Sequence, residues 1–386
     1  VGGGIGGLAA ALALARRRIP SLVLERRPAF SEAGAGIQIG PNGTAILQAL
    51  GVAPILLAKV AAPRAIRVHD GRDGRVLAQL PLGRWIEQRH GSPYWVAHRQ
   101  DLHAALLSRA KAEPQIGLVL GAAFNAAVRT SESVSVRSDD GRSWQGSALV
   151  GADGLWSTVR DVAVSPAAPR FTGQCAVRTT IPADPHLVAL DRLETCVWLR
   201  PEGHVVHYPV CGGSEIAVVG IFRDSAAGED WSNAVDRGWV EQQVLPFPEP
   251  VRRLFSAAPS WRKWGLHTLG PGVTWSRGNV ALLGDAAHPV LPFLAQGAVL
   301  ALEDAVVLAD AVASHRNMAE ALASYAHARR KRAARVAAAS RRNGQIYHLA
   351  GATAIARNLM LSTAPGTTVV AGYDWLYGWR SGHGTA

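Results

Sequence analysis

Three glycines at the start of the chain leave little freedom in what surrounds them. Gly2-x-Gly4-x-x-Gly7 has the spacing of a dinucleotide-binding turn. In such a turn the first glycine makes a tight bend, the second lets the backbone approach a pyrophosphate, and the third lets helix and strand pack closely. The flanks agree. Val1 reads as the end of a strand, and residues 8–18 read as a helix with Leu8, Ala9, Leu12 and Ala13 on one face. Arg16, Arg17 and Arg18 fall in its last turn, where cations complement the helix dipole. Ser21-Leu22-Val23-Leu24-Glu25 is then a short buried parallel strand ending in an acid. A pyrophosphate would sit on the free N–H groups of the helix start. Glu25, eighteen residues after Gly7, is placed to accept hydrogen bonds from ribose hydroxyls, with Arg26 beside it. These residues alone fit FAD and NAD equally.

The 386 residues are 48% hydrophobic and 18% charged, so the chain can bury a sizeable core and lies outside the disordered class. A net charge of +11 favours anionic partners: nucleic acid, acidic lipid or a small carboxylate. Cys175, Cys196 and Cys211 are odd in number and form no C-x-x-C pair, which argues against a disulfide framework or a metal site and for a reducing cytoplasm. Residues 33–58 carry no charge and exceed a membrane span in length. They hold Gly34, Gly36, Gly40, Pro41, Gly43, Gly51 and Pro54, so loops and a short helix are expected, and no transmembrane segment.

The texture changes along the chain. From about Gln174 to Phe222 there are short strand-like runs, and residues 204–209 and 215–219 flank Cys211-Gly212-Gly213-Ser214 as a hairpin would. Alternating strand and helix signals return at Val280-Ala281-Leu282-Leu283, with helices expected from about Ala298 and over residues 319–342. The expected organisation is a discontinuous nucleotide-binding domain (1–70, 95–172 and 265–345), a mainly antiparallel second domain (71–94 and 173–264) and a C-terminal extension (346–386).

Two further motifs follow strands. Gly151-Ala152-Asp153-Gly154 with Arg160 could bring a carboxylate and backbone amides to a cofactor, or Asp153 could simply cap a turn. Gly284-Asp285-Ala286-Ala287-His288-Pro289, then Pro292 and Gln296-Gly297-Ala298, delivers Asp285 to a proline-stiffened loop that runs into a helix start. A helix N-terminus stabilises negative charge by about 0.3–1 kcal/mol, up to about 2 when partly buried.

These motifs, in this order and with His98-Arg99-x-Asp101-Leu102, resemble the FAD-dependent aromatic hydroxylases, the single-component flavoprotein monooxygenases. The resemblance runs from Val1 to about Trp379. It implies a Rossmann-like α/β FAD domain interrupted by an antiparallel β-sheet substrate domain, with C-terminal helices. It implies bound FAD, NADH or NADPH as a transient co-substrate, and O2, with a flavin hydroperoxide hydroxylating an activated phenol. It places FAD along Gly2, Gly4 and Gly7, Glu25 on the ribose, Arg99 near the pyrophosphate, Asp285 on the ribityl chain, and Pro292, Gly297 and Ala298 by the ring. A homodimer is also implied.

Within the family the chain is most similar to hydroxylases of small aromatic acids of the hydroxybenzoate, salicylate and 6-hydroxynicotinate types, the last two decarboxylating. His204, Tyr208 and Gln296 carry this likeness. On a strand His204, Val206 and Tyr208 share one face, so His204 and Tyr208 can look into one cavity. A His that titrates near neutrality suits the proton of a phenol. Tyr208 would orient the ring and Gln296 would place it. Val177, where relatives often carry Trp, is expected in the pocket wall.

Arg329-Arg330-Lys331-Arg332 with Arg335 reads as a solvated helix face rather than a nucleic-acid or membrane contact, since no reader motif or bulky apolar face accompanies it. A flavin reductase or oxidase is the less favoured enzyme reading; the W-x-W-x-I-P segment of related halogenases does not occur.

Overall fold

A computed structural model of the chain describes residues 1–30, 36–184, 193–225 and 233–382. Ser21–Leu24 pairs in parallel with Ile116–Val119, and Leu149–Gly151 pairs in parallel with Val280–Leu282. Val1 joins the two pairs through its backbone. Gly2 N–H donates to Leu24 O (2.8 Å), and Ala152 N–H donates to Val1 O (2.7 Å). All of these strands therefore end at one edge, where ligands of open α/β sheets bind.

The helix after the glycine turn is Ile5–Arg16. It starts earlier than expected because Gly4 serves as its N-cap and the helix winds from inside the glycine turn. It ends where Arg18 takes a left-handed φ of 61°. Ile5, Leu8 and the run Ala9–Ala13 are all buried, because Gly297–Ser314 packs against this helix and small side chains permit close approach.

The second layer is an eight-stranded sheet among the described residues. Its order is Asn233–Ala234, Arg262–Thr268, Arg170–Pro182, Glu215–Arg223, Gly203–Val210, Glu194–Arg200, Ala65–Asp70 and Val76–Pro81. Only the Glu194–Arg200 and Ala65–Asp70 pair is parallel. The sheet thus includes Ala65–Asp70 and resumes at Arg170. One face packs on helices Arg237–Val244 and Glu249–Ser256 through Val177, Val205, Val218, Phe222, Phe247 and Phe255. The other face carries His204, Val206 and Tyr208.

Two expectations change. Val177 is opposite Gly220, which is opposite Val205, so it belongs to the helix-packed face and not to the pocket wall. The long helix is Met318–Tyr347, and its basic run is not wholly solvated: Arg329 is 1% and Arg332 6% exposed, while Arg330, Lys331 and Arg335 are exposed. Three-residue spacing puts Arg329 and Arg332 on the inner side, where a pair of buried acids awaits them.

Among the described residues no single helix is long and apolar enough to cross a membrane; Pro41–Ala49 and Ala53–Lys59 are bent by 115°. Residues 33–35 of the charge-free stretch, including Gly34, lie outside the described residues.

Candidate active site

The first two glycine motifs meet at the edge of the parallel strands. A Cβ on Gly7 would overlap Gly2 O, and one on Gly2, which has φ 104°, would overlap Ala152 O. Glu25 Oε2 accepts from Gly3 N–H (2.8 Å) and its Oε1 from Arg27 N–H (3.0 Å), leaving each oxygen acceptor capacity for a hydroxyl. His103 Nε2 donates to Gly3 O (2.8 Å), which ties helix Arg99–Lys111, and hence Arg99, to the glycine turn. Arg26 is exposed nearby.

The third motif locks onto the second. Leu283 N–H donates to Gly151 O (2.8 Å), and fully buried Arg160 donates from Nη1 to Leu155 O (2.9 Å) and Ala286 O (3.2 Å). Asp153 uses its carboxylate within its own turn, accepting from Ser157 Oγ (2.6 Å) and Val159 N–H (3.0 Å). Asp285 is half-buried on the turn Gly284–Ala286, and Pro292 is exposed. Helix Gly297–Ser314 has Gln296 at its N-cap with no side-chain cap bond, so the N–H groups of Gly297 and Ala298 remain for an acceptor. The start of helix Ile5–Arg16 is likewise uncapped by any side chain.

A buried ionic network supports this loop. Arg329 Nε donates to Asp304 Oδ1 (2.6 Å) and its Nη2 to Glu303 Oε2 (2.8 Å). Arg332 donates to both oxygens of Glu303 (2.9 and 3.1 Å). Asp304 Oδ2 accepts from Gly284 N–H (3.0 Å) and His288 Nε2 (2.5 Å). Asn42 Nδ2 donates to both Glu303 (2.8 Å) and Gln296 Oε1 (3.1 Å). Although burial opposes it, the charges of His288 and Arg329 hold the Asp304 carboxyl down at about 2. Gln296, 2% exposed, is thus oriented by Asn42 through its carbonyl oxygen, which leaves its amide N–H groups free to turn elsewhere.

On the large sheet, His204 and Tyr208 share a face and His207 points to the opposite one. Burial, followed by the neighbouring His348, drives the His204 pKa well below its ordinary value, so the ring is neutral at pH 7 and does not titrate near neutrality as the sequence led one to expect. Burial raises the Tyr208 phenol, so it stays protonated, while the positive charge of Arg178 pulls the other way. Arg178 lies on this same face, stacked 4.3 Å over Trp264. His204 is ringed by Phe293, Tyr347 and His348, with centroids 5.5, 5.1 and 5.1 Å away. Phe293 comes from the same loop as Gln296, so that loop lies between the sheet face and the helix start.

Residues 1–340 match the family described as FAD binding domain. The 3-hydroxybenzoate 6-hydroxylase of Polaromonas naphthalenivorans is 36% identical over 386 residues, covering 99% of this chain and 96% of that one. The chain belongs to the FAD-dependent aromatic hydroxylases. The 3-amino-4-hydroxybenzoate 2-monooxygenase of Streptomyces cremeus is 35% identical over 99% of the chain and 95% of its own length. Among solved structures, Klebsiella pneumoniae HpxO complexed with FAD and uric acid aligns with a TM-score of 0.85 and 26% identity, covering 96% of this chain and 94% of that one. The protein is an FAD-dependent aromatic monooxygenase. The molecule fits its cofactor: two uncapped helix starts face one strand edge, and the glycine turn has no room for a Cβ at Gly2 or Gly7.

Sequence reasoning gave no site role to Asn42, Glu303, Asp304 or His348, and it placed Arg329 and Arg332 on a solvated helix face. The signal for the network was there in part. Glu303-Asp304 is an adjacent acid pair in an otherwise apolar stretch of helix, and Arg329 and Arg332 are three apart on another.

Proposed function

We propose that this hydroxylase acts on a small phenolic aromatic acid of the hydroxybenzoate type, with NADH or NADPH as reductant and O2 as oxidant. The observation that carries the reading is that His204 and Tyr208 lie on one buried sheet face: a neutral proton acceptor and, further along the same strand, a protonated donor. Arg178 on the same face favours an anionic ring substituent. The relatives named above act, by their names, on hydroxylated benzoates.

In this reading Gly2, Gly4, Gly7, Glu25 and Arg99 hold the adenosine and pyrophosphate end of FAD, with Arg26 at the rim. Asp285 holds the ribityl chain, Asp153 keeps its turn in place, and Pro292, Gly297 and Ala298 border the flavin ring. Bound FAD supplies the activation of oxygen. The protein's part is to make the substrate ring electron-rich and to keep it still. His204 takes or relays the phenolic proton, Tyr208 donates to the substrate, and Gln296, steadied by Asn42, orients it. The sheet and the ring of aromatic side chains exclude water from the reacting carbon. A homodimer in a reducing cytoplasm completes the reading, consistent with three cysteines that form no disulfide with one another.

The test is a panel of hydroxybenzoates and aromatic analogues scored for stimulated NAD(P)H oxidation and for product. A 3- or 4-hydroxybenzoate should stimulate and be hydroxylated. His204→Gln should lower hydroxylation about 10²–10⁴-fold with FAD retained. Full product formation by that variant would refute the role of His204, and a wild type that hydroxylates none of the panel would refute the substrate class.

A further inference from the structure

His204 is buried, yet a group that repeatedly accepts protons must pass them on. Its Nε2 has no hydrogen-bond partner among the described residues, while its Nδ1 lies 2.9 Å from His348 Nε2. His348 is the C-cap of helix Met318–Tyr347, and unlike His204 it is only partly buried. Its other nitrogen, Nδ1, is 3.4 Å from Gln174 Nε2. The two imidazoles therefore form a file from the buried sheet face to the surface, sheathed by Phe293 and Tyr347. Resting on the functional reading above, we propose that His348 is a proton-relay residue that carries the proton taken by His204 from the substrate phenol out to solvent.

The balance is simple. The phenol O–H breaks as an N–H forms at His204 Nε2. The His204 Nδ1–H breaks as an N–H forms at His348 Nε2. The His348 Nδ1–H breaks and its proton passes to water. One proton leaves, the phenolate keeps the electron pair, and both rings end neutral with their tautomers exchanged. Gln174 suits this exchange. Its amide oxygen can accept from His348 Nδ1–H before the transfer, and its amide nitrogen can donate to the bare Nδ1 afterwards, as in the arrangement seen here. Both rings must stay neutral for the file to work. Burial lowers His204, and burial followed by Arg223 and Arg357 lowers His348 to about 4, against the opposing charge of Glu202. Arg357 is held in place by bonds to Ile346 O (3.0 Å) and Tyr347 O (2.8 Å).

The test uses the full-length, FAD-loaded enzyme with 3-hydroxybenzoate as the probe and a pH-indicator dye in weak buffer. Proton release is followed by stopped flow through binding and one turnover. His348→Gln keeps a hydrogen-bonding amide but cannot relay. It should slow proton release and kcat at least tenfold, leave KM and FAD content within twofold, and be partly rescued by added imidazole. His327→Gln, exposed on the same helix, should match wild type. Wild-type rates in His348→Gln would overturn the relay while leaving the functional reading intact. So would a slow variant whose KM rises in step and which imidazole does not rescue, because that is a structural effect. A wild-type enzyme that neither releases a proton nor turns over with any hydroxybenzoate would overturn the functional reading, and the relay with it.

Discussion

Replacing Arg329 by Met tests the support of the cofactor loop. The side chain keeps a similar apolar volume but loses two charge-assisted bonds, one to Asp304 and one to Glu303. The two acids are not left equal. Glu303 keeps Arg332 and Asn42, whereas Asp304 keeps only His288 and the Gly284 N–H, and both acids are fully buried. Breaking a buried pair by removing one partner costs about 3–5 kcal/mol, because the remaining charge is stranded. The cost also depends on pH. The Asp304 carboxyl is held down at about 2, so its contribution is present above its ordinary value near 3.8 and fades as pH falls toward 2. The penalty of Arg329→Met should thus be full at pH 7 and shrink below about pH 4. Guanidinium unfolding followed by tryptophan fluorescence measures it, with FAD retention after gel filtration as the functional readout. Lys331→Met, two positions away but exposed, should match wild type. If Arg329→Met is also within about 0.5 kcal/mol of wild type at pH 7, the size of an ordinary surface effect, the buried network does not carry the stability argued for it.

Gly7→Ala should give a protein that folds poorly or is purified colourless, since its Cβ would overlap Gly2 O; tight FAD binding by this variant would refute the close approach. The histidine on the far face makes its own prediction. Burial, followed by the charge of His69, lowers the His207 pKa to about 3, so between pH 6.5 and about 3 the unfolded chain binds a proton that the folded chain does not. Stability is complete above pH 6.5 and falls with acid by about 1.4 kcal/mol per unit, or about 2 kcal/mol by pH 5. His207→Leu should flatten that part of the denaturation profile, as measured by midpoints at pH 7.5 and 5.0; an unchanged slope would refute it.

The cofactor half of this protein is legible in its sequence because each motif is local. A glycine turn, the helix it caps and the acid at the next strand end lie within the first twenty-five residues, and their geometry follows from bond lengths and steric limits. Strand periodicity likewise put His204 and Tyr208 on one face, and pairing along Gly203–Val210 and Glu215–Arg223 keeps them there. Position relative to a second element is not local. Val177 sits in the same strand as Arg178, yet the face each presents follows from the register against Glu215–Arg223. The arginine run on Met318–Tyr347 reads as surface by composition. Only the packing of that helix against Gly297–Ser314 brings Arg329 to Asp304, more than twenty residues away in the chain. His204 and His348 are 144 residues apart, and no spacing rule links them. The sequence by itself determined which chemistry is present and where the cofactor turn lies. Tertiary packing decided which charges are buried and which histidines can exchange a proton, because burial and contact depend on elements that meet only when the chain is folded.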